Sequence, residues 1–423
     1  MRTQEKERVI KAINELGRKV SVADVATKTG LPLVVATSQL NQVAADTKGH
    51  LQVSTAGDIT YQFDYGFQSA YLAKGIERAL RNFFQSLFRA GFFLLRISFG
   101  IMLILSLVII VAVFFIVMQS LSRGNDSDSD SGFNFDFFDY LILRDLLFWD
   151  YAYSPYRGGY GGGYGQINQR RKQGNFLYNC FSFLFGDGNP NAKLEEERWQ
   201  MVAKLIRERG GVVTADELTP YTDADPKNED GVLPVLVRFD GRPEVTDSGN
   251  IVYLFPSLQV SAGTTGSESS RVPAFLRELR WPFTNVSSDS LTLVGVLAAI
   301  NFLGSWWLFA ETMKMPFLHN LLPLTLTLVV YGSLFVLIPL GRWISLGYLN
   351  GQIDARNSKR QEQAERVKNA DRDLSNKLAE SGHFRTKLKQ LDASETVYTT
   401  DKDLLEQEID AQVAEKKNGP TAS

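Results

Sequence analysis

Apolar residues are spaced in three ways along this chain, and each spacing predicts a different kind of element. Ile97 to Met118 is an unbroken apolar run of twenty-two residues with no ionisable side chain. At about 1.5 Å per helical residue it covers the roughly 30 Å hydrocarbon core of a bilayer, which predicts a membrane-spanning helix. Leu291 to Ala310, interrupted by Asn301, and Phe317 to Leu340 predict two more spans, joined by a tight turn at Glu311 to Pro316.

The second spacing is helical. Val9, Ile10, Ile13 and Leu16 share one helix face, and Gly17 ends that helix. Ser21 is placed to cap a short helix closed by Gly30-Leu31-Pro32, and Leu33 to Thr47 predicts a third helix. The third spacing is alternation, at Leu51 to Val53 and Ile59 to Phe63, two strands joined at Ala56-Gly57-Asp58. Helix, turn, helix, helix and hairpin is the pattern of a winged-helix domain, assigned to residues 1–66. The pattern returns at 194–257. Trp199, Val202, Leu205 and Ile206 line one helix that stops at Gly210-Gly211, and Thr214 caps the next. At a constant offset of 192, Gly49, Val53, Gly57, Ile59, Tyr61 and Phe63 match Gly241, Val245, Gly249, Ile251, Tyr253 and Phe255. The predicted fold class is therefore α+β with transmembrane helices, built from two winged-helix domains, about three spans and a helical tail.

Between these elements the character of the chain changes repeatedly. Residues 67–96 carry Lys74, Arg78, Arg81, Arg89 and Arg96 beside Phe83, Phe84, Phe88 and Phe92, an amphipathic basic helix continuing into the first span. Residues 119–193 form an acidic and Gly/Tyr-rich linker, with Phe133 to Tyr153 as an interfacial aromatic segment and Phe176 to Phe185 as an apolar segment too short to cross alone. Residues 258–290 are a linker, and 342–423 predict a polar helical tail with sparse apolar points, suited to a weak coiled coil or a solvated helix.

Composition narrows the chemistry. The 423 residues hold 45 Lys and Arg against 47 Asp and Glu, so no global charge draws the chain to nucleic acid. Cys180 is the single cysteine, and three histidines, His50, His319 and His383, are far apart. That inventory supplies no cysteine-rich metal site, no disulfide framework and no evident acid/base or nucleophile pair, so no catalytic, cofactor-binding or metal-binding residue is assigned. The N-terminal residues lack the apolar core of a secretory signal. Winged helices commonly place their third helix in the major groove of DNA, yet Leu33 to Thr47 holds no Lys or Arg, and the second copy is acidic. Protein binding is the expectation, with the wing residues Tyr61, Phe63, Tyr253 and Phe255 as candidate partner-binding positions. The Gly158 to Gly165 run reads as a flexible linker, since no strand precedes it. Asp187 to Asn191 lacks the spaced ligands of a calcium loop and reads as a turn capping the helix that starts near Leu194. Asn301 is a candidate intramembrane polar contact, read as an interhelical hydrogen bond in preference to a transport site.

Two winged-helix units, the segment Phe181 to Asn191 followed by Leu194 to Trp199, the wing Gly241-Arg242-Pro243-Glu244-Val245 and the C-terminal helical hairpin together resemble a membrane-protein family of cyanobacteria and plant chloroplasts. The resemblance implies a thylakoid or plasma membrane of a photosynthetic organism and a role in assembling or maintaining membrane complexes. Some plant relatives carry an iron–sulfur cluster biosynthesis label, from which this chain departs because Cys180 alone cannot ligate a cluster. The expected function is that of a non-enzymatic integral membrane protein with lipid and protein partners. A membrane-tethered transcription regulator is the alternative, and a transporter or channel component is a weaker one. Topology poses a puzzle. Cations before the first span and around the later two place both winged helices on one side, which a single intervening crossing cannot satisfy. Either the chain returns between Phe133 and Phe185, or Phe83 to Met118 is a bent re-entrant hairpin.

Overall fold

The computed structural model describes residues 2–47, 49–54, 57–67, 76–122, 176–223, 231–262, 272–385, 389–390 and 396–400. The Phe133 to Tyr153 segment, the acidic linker and the Gly158 to Gly165 run lie outside them. The chain starts with α1 (Arg2–Glu15), β1 (Lys19–Ser21), α2 (Val22–Thr29), α3 (Leu33–Thr47), β2 (His50–Ser54) and β3 (Ile59–Gln62). We call this the first module. Two apolar helices follow, α4 (Ile76–Ser122) and α5 (Phe176–Phe185). The second module has α6 (Leu194–Glu208), β4 (Val212–Val213), α7 (Ala215–Thr222), α8 (Leu233–Phe239), β5 (Arg242–Val245) and β6 (Ile251–Leu254). Then come β7 (Val260–Ser261), α9 (Ser288–Lys314), α10 (Leu322–Lys368), α11 (Arg372–His383), β8 (Lys389–Gln390) and β9 (Thr396–Thr399). The chain divides into two compact units, one of residues 1–79, 191–279 and 352–423, the other of 80–190 and 280–351.

In the first unit the two modules share their order of elements and their strand order, β1-β3-β2 in one and β4-β6-β5 in the other, all antiparallel. The short strands β1 and β4 escape the sequence pattern because two or three residues carry no period. Local chemistry repeats as well. Ser21 and Asp24 form a reciprocal capping box on α2, and Thr214 and Glu217 form the same box on α7. The matched glycines have two different jobs. Gly57 and Gly249 turn the hairpins at φ 83° and 81°. A Cβ on Gly49 would lie 2.8 Å from the Phe63 ring, and one on Gly241 would lie 2.2 Å from the Phe255 ring, so each matched Gly and Phe form one packing pair. Val53 faces Ile59, and Val245 faces Ile251, as cross-strand pairs beside the turns.

The tail departs from the expected lone helix. α10 continues from the third span to Lys368 without a break, and α11, β8 and β9 then fold back onto the first unit. β9 pairs antiparallel with β2, and β8 pairs parallel with β7.

The second unit is a bundle in which, among the described residues, three helices are long and apolar enough to cross a membrane. Their contacts form a ladder. Leu103 of α4 packs in one layer with Val294 and Ala298 of α9 and Phe335 of α10, joined by Cys180 and Leu184 of α5. Further along, Ile110, Val113 and Val117 pack with Leu308 of α9 and with Leu318 and Leu328. Residue numbers thus rise together in α4 and α9 and fall in α10, so α4 and α9 run parallel and α10 runs against them. α4 is one continuous helix, which excludes the alternative of a re-entrant hairpin over Phe83 to Met118, while the other alternative, a return between Phe133 and Phe185, lies largely outside the described residues. α5 lies in the Leu103 layer, where a Cβ on Gly100 would meet the Leu177 backbone at 2.6 Å. Ser122 and Phe176 therefore belong to opposite ends of the bundle. The N-terminal ends of α4 and α9 and the outgoing end of α10 share one end.

Candidate functional site

The first unit joins its modules through α2 and α6. Asp24, only 4% exposed, sits at their crossing. Its carboxylate accepts from Ser21 N at 3.0 Å, Ser21 Oγ at 2.9 Å, Ala262 N at 2.9 Å and the Arg207 guanidinium at 2.8 Å. Arg207 also donates to the carbonyls of Leu258 at 2.8 Å and Val260 at 2.9 Å. Burial pushes the Asp24 carboxyl up, but the Arg207 charge and the two backbone donors outweigh it and leave the pKa lowered. A depressed carboxyl stabilises the fold above its unfolded value and loses that contribution as pH falls through the folded value. Stability of the first unit should therefore decline once pH falls below about 4, and Asp24→Asn should flatten that decline in acid titrations followed by circular dichroism.

The end of α2 presses directly on α6. Gly30 has φ 69°, and a Cβ there would lie 3.0 Å from Trp199 Cβ and 3.1 Å from Gln200 N and Glu196 O. Its carbonyl accepts from Arg238 Nε at 2.8 Å, and the Arg238 guanidinium stacks 4.4 Å from the Trp199 ring. Arg8 donates to the Thr29 carbonyl and pairs with Glu196 at 3.0 Å. A side chain at Gly30 meets both a left-handed backbone and an occupied space. Gly30→Val should cost at least about 2 kcal/mol, read as a lower midpoint in chemical unfolding.

These contacts decide what the modules can offer a partner. Tyr61, Phe63, Tyr253 and Phe255, expected to touch a partner, are all buried in the core. Tyr61 donates to Asn41 Oδ1 at 2.6 Å, and Phe63 and Phe255 fill the spaces above Gly49 and Gly241. An aromatic at alternate strand positions reads the same whether its face meets the module's own helices or a partner, and here the helices win. Exposed apolar side chains of the first unit include Val34 on α3 and Leu233 and Val237 on α8, which are 79%, 55% and 75% exposed, together with Tyr65 and the wing residues Ile59 and Val245. Single exposed aliphatic side chains on these helices carry no signal of their own in the sequence. The remainder of the outward face of α3 is Ser38, Asn41, Gln42 and Ala45, without a cation.

α10 brings a further buried charge to the first unit. Arg360, 1% exposed, contacts Asp223 at 2.5 Å and Glu278 at 2.8 Å and donates to the Leu276 carbonyl at 3.0 Å. Arg356 takes the other side of Glu278, and Asn357 brackets its backbone at 2.9 Å on both N–H and C=O. The hydrogen bond from Arg356, helped by the Arg360 charge, holds the Glu278 carboxyl below its usual range.

In the bundle, Asn301 is fully buried and its amide donates to Ser106 Oγ of α4. A Cβ on Gly332 of α10 would come within 2.8 Å of Asn301 Oδ1 and 3.0 Å of Ser305 Oγ, so three helices meet closely at this point. The contact is an interhelical hydrogen bond packed against a glycine, with no room for a solute between them. Asn301→Leu should cost about 1–2 kcal/mol in detergent unfolding. Asp187 does not cap the helix beginning at Leu194, whose N-cap position makes no side-chain hydrogen bond. It accepts instead from Ser182 Oγ at 2.6 Å and Asn285 N at 2.6 Å, while Arg342 donates to the last carbonyls of α5 at Ser182 and Phe183. Among the described residues, no three His, Cys, Asp or Glu are grouped to hold a metal ion.

No protein-family model matches the chain, and no solved structure matches it. A curated plant protein does. It is the Arabidopsis thaliana protein named Uncharacterized protein At5g03900, chloroplastic, 35% identical over 434 residues that cover 96% of this chain and 80% of the relative. That name carries no iron–sulfur designation.

Proposed function

The chain belongs to the family of the chloroplastic Arabidopsis protein At5g03900, and we propose that it is a non-enzymatic membrane protein whose paired winged-helix modules dock protein partners as an assembly, scaffold or maintenance factor. The winged-helix reading rests on the twice-occurring order of helices and on the strand orders β1-β3-β2 and β4-β6-β5. One observation carries the functional reading. The modules are bound through Asp24, Arg207 and Gly30 into one body whose accessible side chains at Val34, Leu233 and Val237 are apolar and uncharged. Aliphatic side chains exposed to this extent suit a protein surface better than phosphate, which calls for Lys and Arg. Both modules are assigned to one side of a cyanobacterial thylakoid or plasma membrane crossed by α4, α9 and α10, a reading supported by the cations before the first span and around the later two. Affinity purification in mild detergent should recover a defined membrane complex, and the complex should be lost with Val34→Glu/Val237→Glu. Salt-titrated DNA binding that survives those two substitutions would instead favour a tethered transcription regulator.

A further inference from the structure

The two wings differ at their outer edges. β5, the outer strand of the second module, reads Arg242-Pro243-Glu244-Val245. Proline lacks the N–H that a further strand would need, and charged neighbours discourage pairing, so this edge is protected. β2, the outer strand of the first module, reads His50-Leu51-Gln52-Val53-Ser54, with no proline and no acid or lysine. Its edge is open to pairing, and the chain's own tail covers it. Gln52 faces Thr399 and Val53 faces Tyr398, and Thr400 N donates to the Leu51 carbonyl at 3.0 Å.

That cover is short. The register slips between Val53 and Ser54, and β9 spans four residues. Its reinforcement comes from elsewhere on the tail. Glu380 of α11 accepts from Thr246 Oγ1, Ser248 Oγ and Asn250 Nδ2, the turn of the second wing, and Lys377 pairs with Asp216 at 2.9 Å. The tail therefore touches both wings, one by strand addition and the other by a carboxylate.

We propose that the outer edge of β2 is a strand-addition docking site for an extended, uncharged, β-branched segment of a protein partner, and that Thr396–Thr399 is its intramolecular occupant. Main-chain hydrogen bonds supply the affinity in such a site, and the alternating side chains supply selectivity. A partner strand longer than four residues, without the register slip, makes more ladder bonds than the tail and displaces it. The proposal builds on the docking role given above and names the surface and the ligand chemistry that serve it.

The test uses a fluorescein-labelled, C-terminally amidated peptide of residues 396–400 and three detergent-solubilised proteins. These are the full chain, the chain ending at Arg385, and the full-length Tyr398→Pro/Thr400→Pro variant. Thr400 donates to Leu51, and hydrogen-bonded pairs alternate along an antiparallel ladder, so both prolines remove tail donors while leaving the chain length unchanged. Both altered proteins should bind the peptide at least about tenfold more tightly than the full chain. The peptide should slow amide exchange at Leu51 to Ser54, and a peptide carrying the same two prolines should not bind. Equal affinity for all three proteins, binding to none, or binding indifferent to the prolines would overturn the proposal. The peptide assay needs no cellular partner, so an empty affinity purification alongside tight peptide binding would count against the assembly role and leave the docking edge standing.

Discussion

Replacing Arg207 by alanine is expected to cost about 3–5 kcal/mol, the penalty for stranding one member of a buried ion pair. Arg207 is the only guanidinium on Asp24 among the described contacts, and it carries the carbonyls of Leu258 and Val260 as well. Its removal leaves a carboxylate with 4% exposure held by Ser21 and Ala262 alone. The damage should fall on the joint between the modules before it reaches their cores, since α2 and α6 meet there and Val260 begins β7. Hydrogen exchange in mild detergent should show faster amides in α2 and around Val260 to Ala262. The double variant Asp24→Asn/Arg207→Met should recover roughly 1–3 kcal/mol relative to the sum of the single changes, because it removes the charge and the partner together. Strict additivity would mean that the pair is not what joins the modules.

Arg360→Ala is expected to cost about 3 kcal/mol, near the lower end for a buried pair. Asp223 is partly exposed and can be resolvated, and Glu278 keeps Arg356. What is lost without replacement is the donor to Leu276 and the volume of a fully buried side chain. The C-terminal part of α10 is held against Asp223 and Glu278 through this residue, so limited proteolysis should cut the helix between Lys359 and Lys368 in the variant and spare it in the parent. Arg360→Lys keeps the charge but cannot reach two carboxylates and a carbonyl at once, and it should recover only part of the loss.

Much of this fold could be read from local pattern. The capping residues Ser21 and Thr214, the stops at Gly30 and Gly210-Gly211, and the hairpin turns at Gly57 and Gly249 act within a few residues of themselves, and the sequence placed them correctly. The spans were legible for the same reason. What stayed hidden depends on residues far apart. Asp24 and Arg207 are ordinary surface types until α2 meets α6, and Arg360 looked like one cation in a polar tail until it met Asp223 and Glu278. The tail carried too few apolar points to announce that it folds back. Tyr61, Phe63, Tyr253 and Phe255 were recognised as matched positions but assigned to the wrong face, because period-2 spacing does not say which face is covered.

The proposed topology, with both modules on one side of the membrane, is open to a direct test. Within the bundle α4 and α9 run parallel and α10 runs against them. Single cysteines placed at Ser38 in the first module, Val237 in the second and Ser375 in the tail, on a Cys180→Ala background, can be labelled with a membrane-impermeant maleimide from either face of oriented vesicles. All three should react from the same face and be silent from the other. Labelling of Ser38→Cys and Val237→Cys from opposite faces would contradict a paired module on one side of the membrane.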